Sequence, residues 1–136
     1  MGCGPGPSAI VGVGVDVVEV DRIARALERH GERFLERLFS SEEIAYCLAK
    51  RHPAARAACL AARFAAKEAV MKVLGTGRRG VAFHEIAVTH RRGGRPAIEL
   101  RGRAARVAEA LGVDEVCVSV SHGRDVAVVV ALGVRR

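Results

Sequence analysis

The spacing of apolar residues changes along the chain, and each change predicts a different secondary structure. A β-branched run that contains Gly12 and Gly14 ends near Asp16 and predicts an opening strand. Apolar residues then recur every three or four positions, as they do on the buried face of a helix. We predict a strand over 10–18 and helices over 21–30, 40–50 and about 55–74.

Local signals mark the ends of these helices. Asp21 is predicted to cap the first helix, and Gly31 follows its last turn. Ser40 and Glu43 have the spacing of a capping box at the start of the second helix. A His-Pro step at 52–53 separates that helix from the long one, which runs into a Gly-Thr-Gly turn.

The second half of the chain is predicted to be rich in strands. The turn RRGGRP joins two alternating segments and favours a hairpin. We predict strands over 86–90, 97–101, 115–122 and 125–132, with a short helix over 102–111. This order favours an α+β fold with an antiparallel sheet, one long helix and several short ones. Residues 10–136 form a single predicted domain, and the Gly/Pro-rich residues 1–9 are expected to be a disordered extension.

The composition indicates a small protein outside the membrane. The 136 residues are 50% apolar but contain five aromatic residues and no Trp, so Ala, Val and Leu must build the core. No apolar run is long enough to span a bilayer, and the N-terminus does not resemble a signal peptide. The four cysteines have no C-x-x-C spacing, and three lie in apolar contexts. We therefore expect reduced cysteines and a cytoplasmic protein without a zinc site.

The net charge of +7 indicates an anionic partner. Nucleic acid is disfavoured, because the basic residues are not interleaved with aromatic ones and no zinc-finger or RNP-like motif is present. Several arginines form a basic line on and just beyond the first predicted helix. Such a line is either a solvated helix face or a docking surface for an acidic helix. We call Arg22, Arg25, Arg29 and Arg33 the basic line.

The segment RFAAKEAVMKVLGTG carries the strongest candidate chemistry. Glu68 and Lys72 are four residues apart on a predicted helix, so they share one face. They form either a surface ion pair or, together with Asp16, a site for magnesium and phosphate. Lys67 falls within the apolar stripe of that helix, where it must extend outward or meet an anion.

The turn at 75–80 reads GTGRRG and has the form G-x-G-x-x-G. A dinucleotide fingerprint should follow a strand and open a helix, whereas this segment closes one. We therefore predict a helix C-cap and a flexible turn, whose free amides and Arg78 and Arg79 could reach an anion.

Four blocks together resemble the holo-acyl-carrier-protein synthase family, the small bacterial type of 4′-phosphopantetheinyl transferase. They are GVGVDVVEVDRI, RFAAKEAVMKVLGTG, the GRP turn and SVSH, and the resemblance extends over about 10–132. It implies that phosphopantetheine is transferred from coenzyme A to a serine of apo acyl carrier protein, releasing 3′,5′-ADP.

The resemblance also implies residue roles. Asp16 and Glu68 match magnesium ligands, and Lys72 matches a lysine beside the pyrophosphate. Either Glu68 or a metal-held water is then the base for the serine hydroxyl. The implied coenzyme A contacts are Arg63, Lys67, Lys72, Gly75, Thr76, Gly77, Pro96 and His122. The basic line resembles a docking helix for acidic acyl carrier protein, and a homotrimer with active sites between subunits is implied.

Two other functions account for some of these residues. A magnesium nuclease also combines acidic residues with lysine, but its Glu and Lys are usually two apart on a strand, whereas here they are four apart on a helix. A non-enzymatic basic module that binds anions would leave Asp16, Glu68 and Lys72 as unrelated surface charges.

Overall fold

The computed structural model describes residues 9–136, and for Arg78 and Arg79 only the backbone. The N-terminal half consists of β1 (Ala9–Glu19), α1 (Val20–His30), α2 (Glu32–Leu38), α3 (Ser41–Leu48), α4 (Pro53–Leu74) and the single turn α5 (Gly77–Gly80). After a 3₁₀ turn (Phe83–Glu85) follow β2 (Ile86–His90), β3 (Pro96–Leu100), α6 (Gly102–Leu111), β4 (Glu115–His122) and β5 (Val126–Arg135).

The strands form two antiparallel sheets rather than one. The larger sheet has the order β1-β5-β4, and the smaller is the hairpin β2-β3. In the larger sheet Asp16 lies opposite Val129, and His122 lies opposite Ala127. The α+β prediction, with antiparallel strands and one long helix, is confirmed.

Helix α4 lies at the centre of the fold. It packs against β1, β5 and β4 and also against α1, α3 and β2, so 16 of its 22 residues are buried. A helix with neighbours on every side must be apolar all round, and its many alanines let those neighbours approach closely. Pro53 occupies the first turn, and Gly75 ends the helix with a φ of 71°.

The structure corrects two predictions around α1. The helix begins at Val20, so Asp21 lies in its first turn and pairs with Arg25 at 3.1 Å instead of capping the helix. Gly31, with a φ of 56°, ends α1, but α2 starts at the next residue and was not predicted. Gly31 thus ends α1 as predicted, but the chain only changes direction there and continues directly as α2.

The other predicted boundaries shift by a few residues. The capping box of α3 is confirmed, with Ser40 Oγ accepting from the Glu43 amide at 3.2 Å. Strand β5 begins at Val126 and continues to Arg135, three residues beyond the predicted end. Of the predicted N-terminal extension, Ala9 belongs to β1, and 1–8 lie outside the described residues.

The prediction of reduced cysteines was wrong for two of them. Cys47 on α3 and Cys59 on α4 are buried and joined in a disulfide, with a Cα–Cα distance of 5.5 Å. Cys117 is a free and exposed cysteine on β4, one of the two edge strands of the larger sheet. The sequence gives no pairing signal, because the two bonded cysteines are 12 positions apart on different helices.

No helix between 9 and 136 is long and apolar enough to cross a membrane.

Candidate active site

Strand β1 lies very close to α4 because two glycines face the helix. A Cβ on Gly14 would collide with the carbonyl of Ala69 and would lie 3.0 Å from the Cβ of Lys72. Gly12 makes a similar approach to the next turn of the helix. Alternate residues of a strand share one face, so this contact also brings Asp16 to the surface of α4.

Asp16 and Lys72 meet across the β1–α4 contact. The Lys72 Nζ lies 3.3 Å from Asp16 Oδ1 and donates to the carbonyl of Val15 at 2.7 Å. The lysine side chain is 55% exposed and that of Asp16 15% exposed. An exposed ion pair contributes at most about 1 kcal/mol, so a stronger anion could draw this ammonium away from Asp16 at little cost.

Glu68 lies one turn before Lys72 on α4 and is half-buried. Both side chains border a cleft of 330 Å³, lined by Glu68, Met71, Lys72, Gly75 and Gly77. Thr76, between the two lining glycines, is itself half-buried. The structure thus places Glu68, Lys72 and two of the predicted glycine contacts around one cleft, and Asp16 lies beside it through its contact with Lys72.

The donor set at this cleft suits magnesium better than a transition metal. Asp16 and Glu68 offer carboxylate oxygens, the ligands that magnesium prefers. Within 9–136, no three His, Cys, Asp or Glu side chains are grouped so as to hold a metal without other ligands. Two carboxylates leave most positions of an octahedral ion to waters and substrate phosphates, which is the usual arrangement for magnesium.

A second cavity contains the other predicted contacts. Its volume is 630 Å³, and Arg63, Pro96 and His122 all line it. Arg63 is only 6% exposed, and its guanidinium stacks on Tyr46, 4.4 Å from the ring centroid. Its Nη1 lies 3.3 Å from Cys59 Sγ, but its buried Nε has no partner among the described residues. A buried cation with an unused donor beside a cavity is suited to binding an anion.

The wall of this second cavity is strongly basic. Tyr46 stacks on His90 with a centroid distance of 4.6 Å, and the Lys50 ammonium lies 4.7 Å from the centroid of the tyrosine ring. Partial burial, and then the charges of Arg63 and Lys50, lower the pKa of His90. Arg95 also lines the cavity. A bound phosphate would meet several positive or proton-accepting groups at once.

Lys67 lies in the core and not at either cavity. Its ammonium is fully buried, 2.9 Å from Glu43 Oε1, and donates to the carbonyls of Ile86 at 2.5 Å and Phe83 at 3.1 Å. The lysine in the apolar stripe therefore meets an anion, but one that belongs to the protein. The implied contact with coenzyme A would require this buried ion pair to open.

The two cavities lie on different sides of α4. Arg63 and Lys72 are nine residues apart, which at about 100° per residue places them on opposite faces of the helix. Glu68 is about 140° away from Arg63 by the same count. One chain therefore presents the carboxylate cleft and the basic cavity in different directions.

The basic line borders a third cavity, a groove of 640 Å³. Its floor is apolar and includes Ile23, Phe34, Phe64 and Phe83, and its rim is basic, with Arg22, His30, Arg33 and Arg37. Arg25 and Arg29, also in the basic line, are exposed but outside the groove. An apolar floor with a basic rim fits an amphipathic acidic helix.

Known proteins resemble this chain in both sequence and fold. Residues 12–131 match the model of the 4′-phosphopantetheinyl transferase superfamily. The holo-[acyl-carrier-protein] synthase of Koribacter versatilis is 48% identical over 120 residues, covering 88% of this chain and 94% of that protein.

Two crystal structures illustrate the structural similarity. The holo-[acyl-carrier-protein] synthase of Neisseria meningitidis superposes with a TM-score of 0.82 and 32% identity, covering 92% of this chain and 98% of that one. The holo-[acyl-carrier-protein] synthase of Helicobacter pylori in complex with coenzyme A superposes with a TM-score of 0.76 and 28% identity, covering 89% of this chain and 98% of that one. The chain belongs to the 4′-phosphopantetheinyl transferase superfamily. Within it, the relatives that it matches are holo-[acyl-carrier-protein] synthases.

Sequence reasoning missed several residues at these cavities. Tyr46, Lys50 and His90 line the basic cavity but come from α3, the residues after it, and β2. Arg37 at the groove belongs to α2, a helix that was not predicted. No short motif contains any of these residues, so only the folded arrangement identifies them.

Proposed function

We propose that the chain transfers the 4′-phosphopantetheine arm of coenzyme A to a serine of an apo acyl carrier protein and releases 3′,5′-ADP. The observation that carries this proposal is the convergence of Asp16, Glu68 and Lys72, which depends on the close approach of Gly14 to α4. The names of the related proteins and the coenzyme A complex of one structural neighbour support the same reaction.

Asp16 and Glu68 would hold a magnesium ion together with the pyrophosphate oxygens of coenzyme A. When bound, the ion neutralises charge on the reacting and leaving phosphates. The fit rests on the donor set, because two carboxylates from β1 and α4 supply hard oxygen ligands and leave room for phosphate.

The protein's own groups would align and neutralise the reactants. Lys72 would leave Asp16 and donate to the pyrophosphate, where negative charge grows on the leaving oxygen. The carboxylate of Glu68 would accept the proton of the serine hydroxyl as its oxygen bonds to the phosphorus that carries the pantetheine arm. The bond from that phosphorus to the oxygen of the departing 3′,5′-ADP breaks in the same displacement.

The basic cavity would take the nucleotide end of coenzyme A. The anionic phosphates of coenzyme A suit Arg63 and His122, and Pro96 supplies an apolar wall of the cavity. Because the cavity and the carboxylate cleft point away from each other, one coenzyme A molecule would use the cleft of one subunit and the cavity of a neighbour.

A homotrimer with active sites between subunits would provide such neighbours. The outer face of edge strand β1 carries Val13, Val15 and Val17, which are 60%, 50% and 59% exposed. An apolar row next to Asp16 favours contact with another copy of the chain, because burying it would remove apolar surface from water beside the site. The groove at the basic line would receive an acidic helix of acyl carrier protein, and we expect the reaction to take place in the cytoplasm.

Intact mass spectrometry of the carrier protein tests the reaction. The protein is mixed with coenzyme A, magnesium and apo acyl carrier protein, and we expect one phosphopantetheine adduct per carrier. The adduct should disappear with EDTA and with Glu68→Gln, whereas the exposed control Glu109→Gln should retain it. An unmodified carrier, with DNA or RNA cleaved instead, would favour a magnesium nuclease. If the protein showed neither transfer nor cleavage, a non-enzymatic binding module would be favoured.

Subunit complementation tests the shared site. Lys72→Ala and His122→Ala should each be inactive or severely impaired alone. Co-expressed, they should recover part of the activity if one site takes its lysine and its histidine from different chains. Activity that stays at the level of the single variants would place the complete site within one chain.

A further inference from the structure

Glu43 and Lys67 form a buried ion pair that the proposed reaction does not use. Their side chains are 1% and 0% exposed, and the Lys67 Nζ lies 2.9 Å from Glu43 Oε1. Glu43 Oε1 also accepts from the amide of Ser40 at 2.8 Å. Removing two charges from water costs several kcal/mol per ion, so a pair of this kind is weak evidence of a contribution to stability.

The remaining hydrogen bonds of the pair all reach the segment around β2. Glu43 Oε2 accepts from the amide of Val88 at 2.9 Å. Lys67 donates to the carbonyls of Phe83 and Ile86. The pair therefore connects α3 and α4 to both the start and the middle of β2.

The β2–β3 hairpin packs against β4, α4 and α3, and the ion pair adds hydrogen bonds to that packing. It is a separate two-stranded sheet and does not join the larger sheet by a strand ladder. Two-stranded sheets are marginal by themselves and must pack against other elements to be stable. The disulfide does not substitute for the pair, because it ties α3 to α4 and has no residue in the hairpin.

The hairpin supplies one wall of the basic cavity. Val88 and His90 come from β2, Pro96 opens β3, and Arg95 immediately precedes it. The Val88 amide bonded to Glu43 is thus two residues from His90 on the same strand. A shift of the hairpin would move these lining residues together, away from Arg63 and Tyr46 on the helices.

We infer that Glu43 and Lys67 are positioning residues that set the β2–β3 hairpin against α4 and thereby shape the cavity for the nucleotide end of coenzyme A. This inference rests on the proposed function. It assigns the pair to binding of coenzyme A and not to the transfer step, because neither charge faces the cleft of Asp16, Glu68 and Lys72.

The test compares Glu43→Met, Lys67→Met and the double variant with wild type. Removal of one partner leaves a buried unpaired charge, whereas removal of both is usually tolerated. The double variant therefore remains informative if a single one does not fold. Glu99→Gln is the matched control, because Glu99 lies on β3 of the same hairpin and pairs with Arg101 at the surface.

We expect each variant that folds to raise the KM and calorimetric Kd for coenzyme A about tenfold, which corresponds to a loss of about 1.4 kcal/mol of binding free energy. The kcat and the KM for the carrier should stay within about twofold of wild type. The double variant should bind coenzyme A at least as tightly as the single variant with the lower affinity, since both changes break the same connection. The control should match wild type.

Two outcomes would overturn the inference. A folded double variant with unchanged affinity for coenzyme A would show that the pair has no positioning role. If Lys67→Met lost affinity for coenzyme A while Glu43→Met kept the wild-type affinity, Lys67 would instead be a direct phosphate ligand. Failure of the proposed function is a separate result. The wild-type protein would then leave the carrier unmodified, while the affinity of the protein for coenzyme A could still be measured.

Discussion

Replacement of Gly14 by alanine should damage both the fold and the candidate active site. The added Cβ would collide with the carbonyl of Ala69 and would approach its carbonyl carbon and the Cβ of Lys72 to 3.0 Å. The first obstacle is backbone in the C-terminal half of α4, which no side-chain rotation can move aside. Strand β1 must therefore move away from the helix and carry Asp16 with it.

The size of the effect follows from the cost of overpacking. Extra atoms in a packed core usually cost about 1–3 kcal/mol, and we expect the upper end because the obstacle is backbone. For 136 residues, a loss of about 3 kcal/mol corresponds to a decrease in Tm of roughly 10 °C. A displacement of Asp16 by a fraction of an ångström to 1 Å should lower kcat by about tenfold or more.

Gly123→Ala is the matched control. Gly123 has no heavy atom within 4 Å of the position of an added Cβ, and its φ is not positive. Calorimetry should show a Tm close to wild type for this variant, and phosphopantetheine transfer should be unchanged. If Gly14→Ala behaved like Gly123→Ala in both assays, the close approach of β1 to α4 would not be what positions Asp16.

Three further predictions concern other parts of the molecule. By NMR, the ring of His90 should titrate below its ordinary pKa of 6.5 in the free protein, and its pKa should rise when coenzyme A binds. Because this pKa is lowered by folding, the unfolded state binds more protons just below pH 6.5, so His90 should reduce stability as the pH falls through that range. Alkylation of the denatured, unreduced protein, read out by peptide mapping, should label Cys117 but neither Cys47 nor Cys59, and labelling of the last two would exclude their bond. Arg22→Glu with Arg33→Glu should raise the KM for the carrier at least tenfold, with unchanged affinity for coenzyme A; an unchanged carrier KM would remove the groove as a docking site.

Sequence patterns predicted most elements of the fold because the signals are local. The capping box at Ser40 and the glycine after α4 each depend on residues within one helical turn, and both are confirmed. Helix α2 was missed for the same reason. Gly31 is a genuine local stop, and only the packing of Leu35 into the core shows that a new helix follows immediately.

The candidate site was only partly predictable, since each of its cavities joins residues from distant parts of the chain. The capping role of Glu43 follows from Ser40 three positions away, but its bond to the amide of Val88 crosses 45 positions. Tyr46 and His90 stack across a similar separation. No periodicity in the sequence encodes which strand will pass in front of a helix.

Helix α4 illustrates this limit, because three of its four basic residues look alike in the sequence but have different surroundings. Arg63 lies under Tyr46 at the basic cavity, Lys67 pairs with Glu43 in the core, and Lys72 bonds with Asp16 at an exposed cleft. Their rotation around the helix is fixed by spacing alone, and it already separates Arg63 from Lys72 by about half a turn. The partner of each basic residue comes from β1, α3 or β2. These elements lie before and after α4 in the sequence and pack against it in the fold. Under the proposed function, substitution of Arg63 should lower nucleotide affinity, substitution of Lys67 should shift the hairpin, and substitution of Lys72 should slow the transfer step.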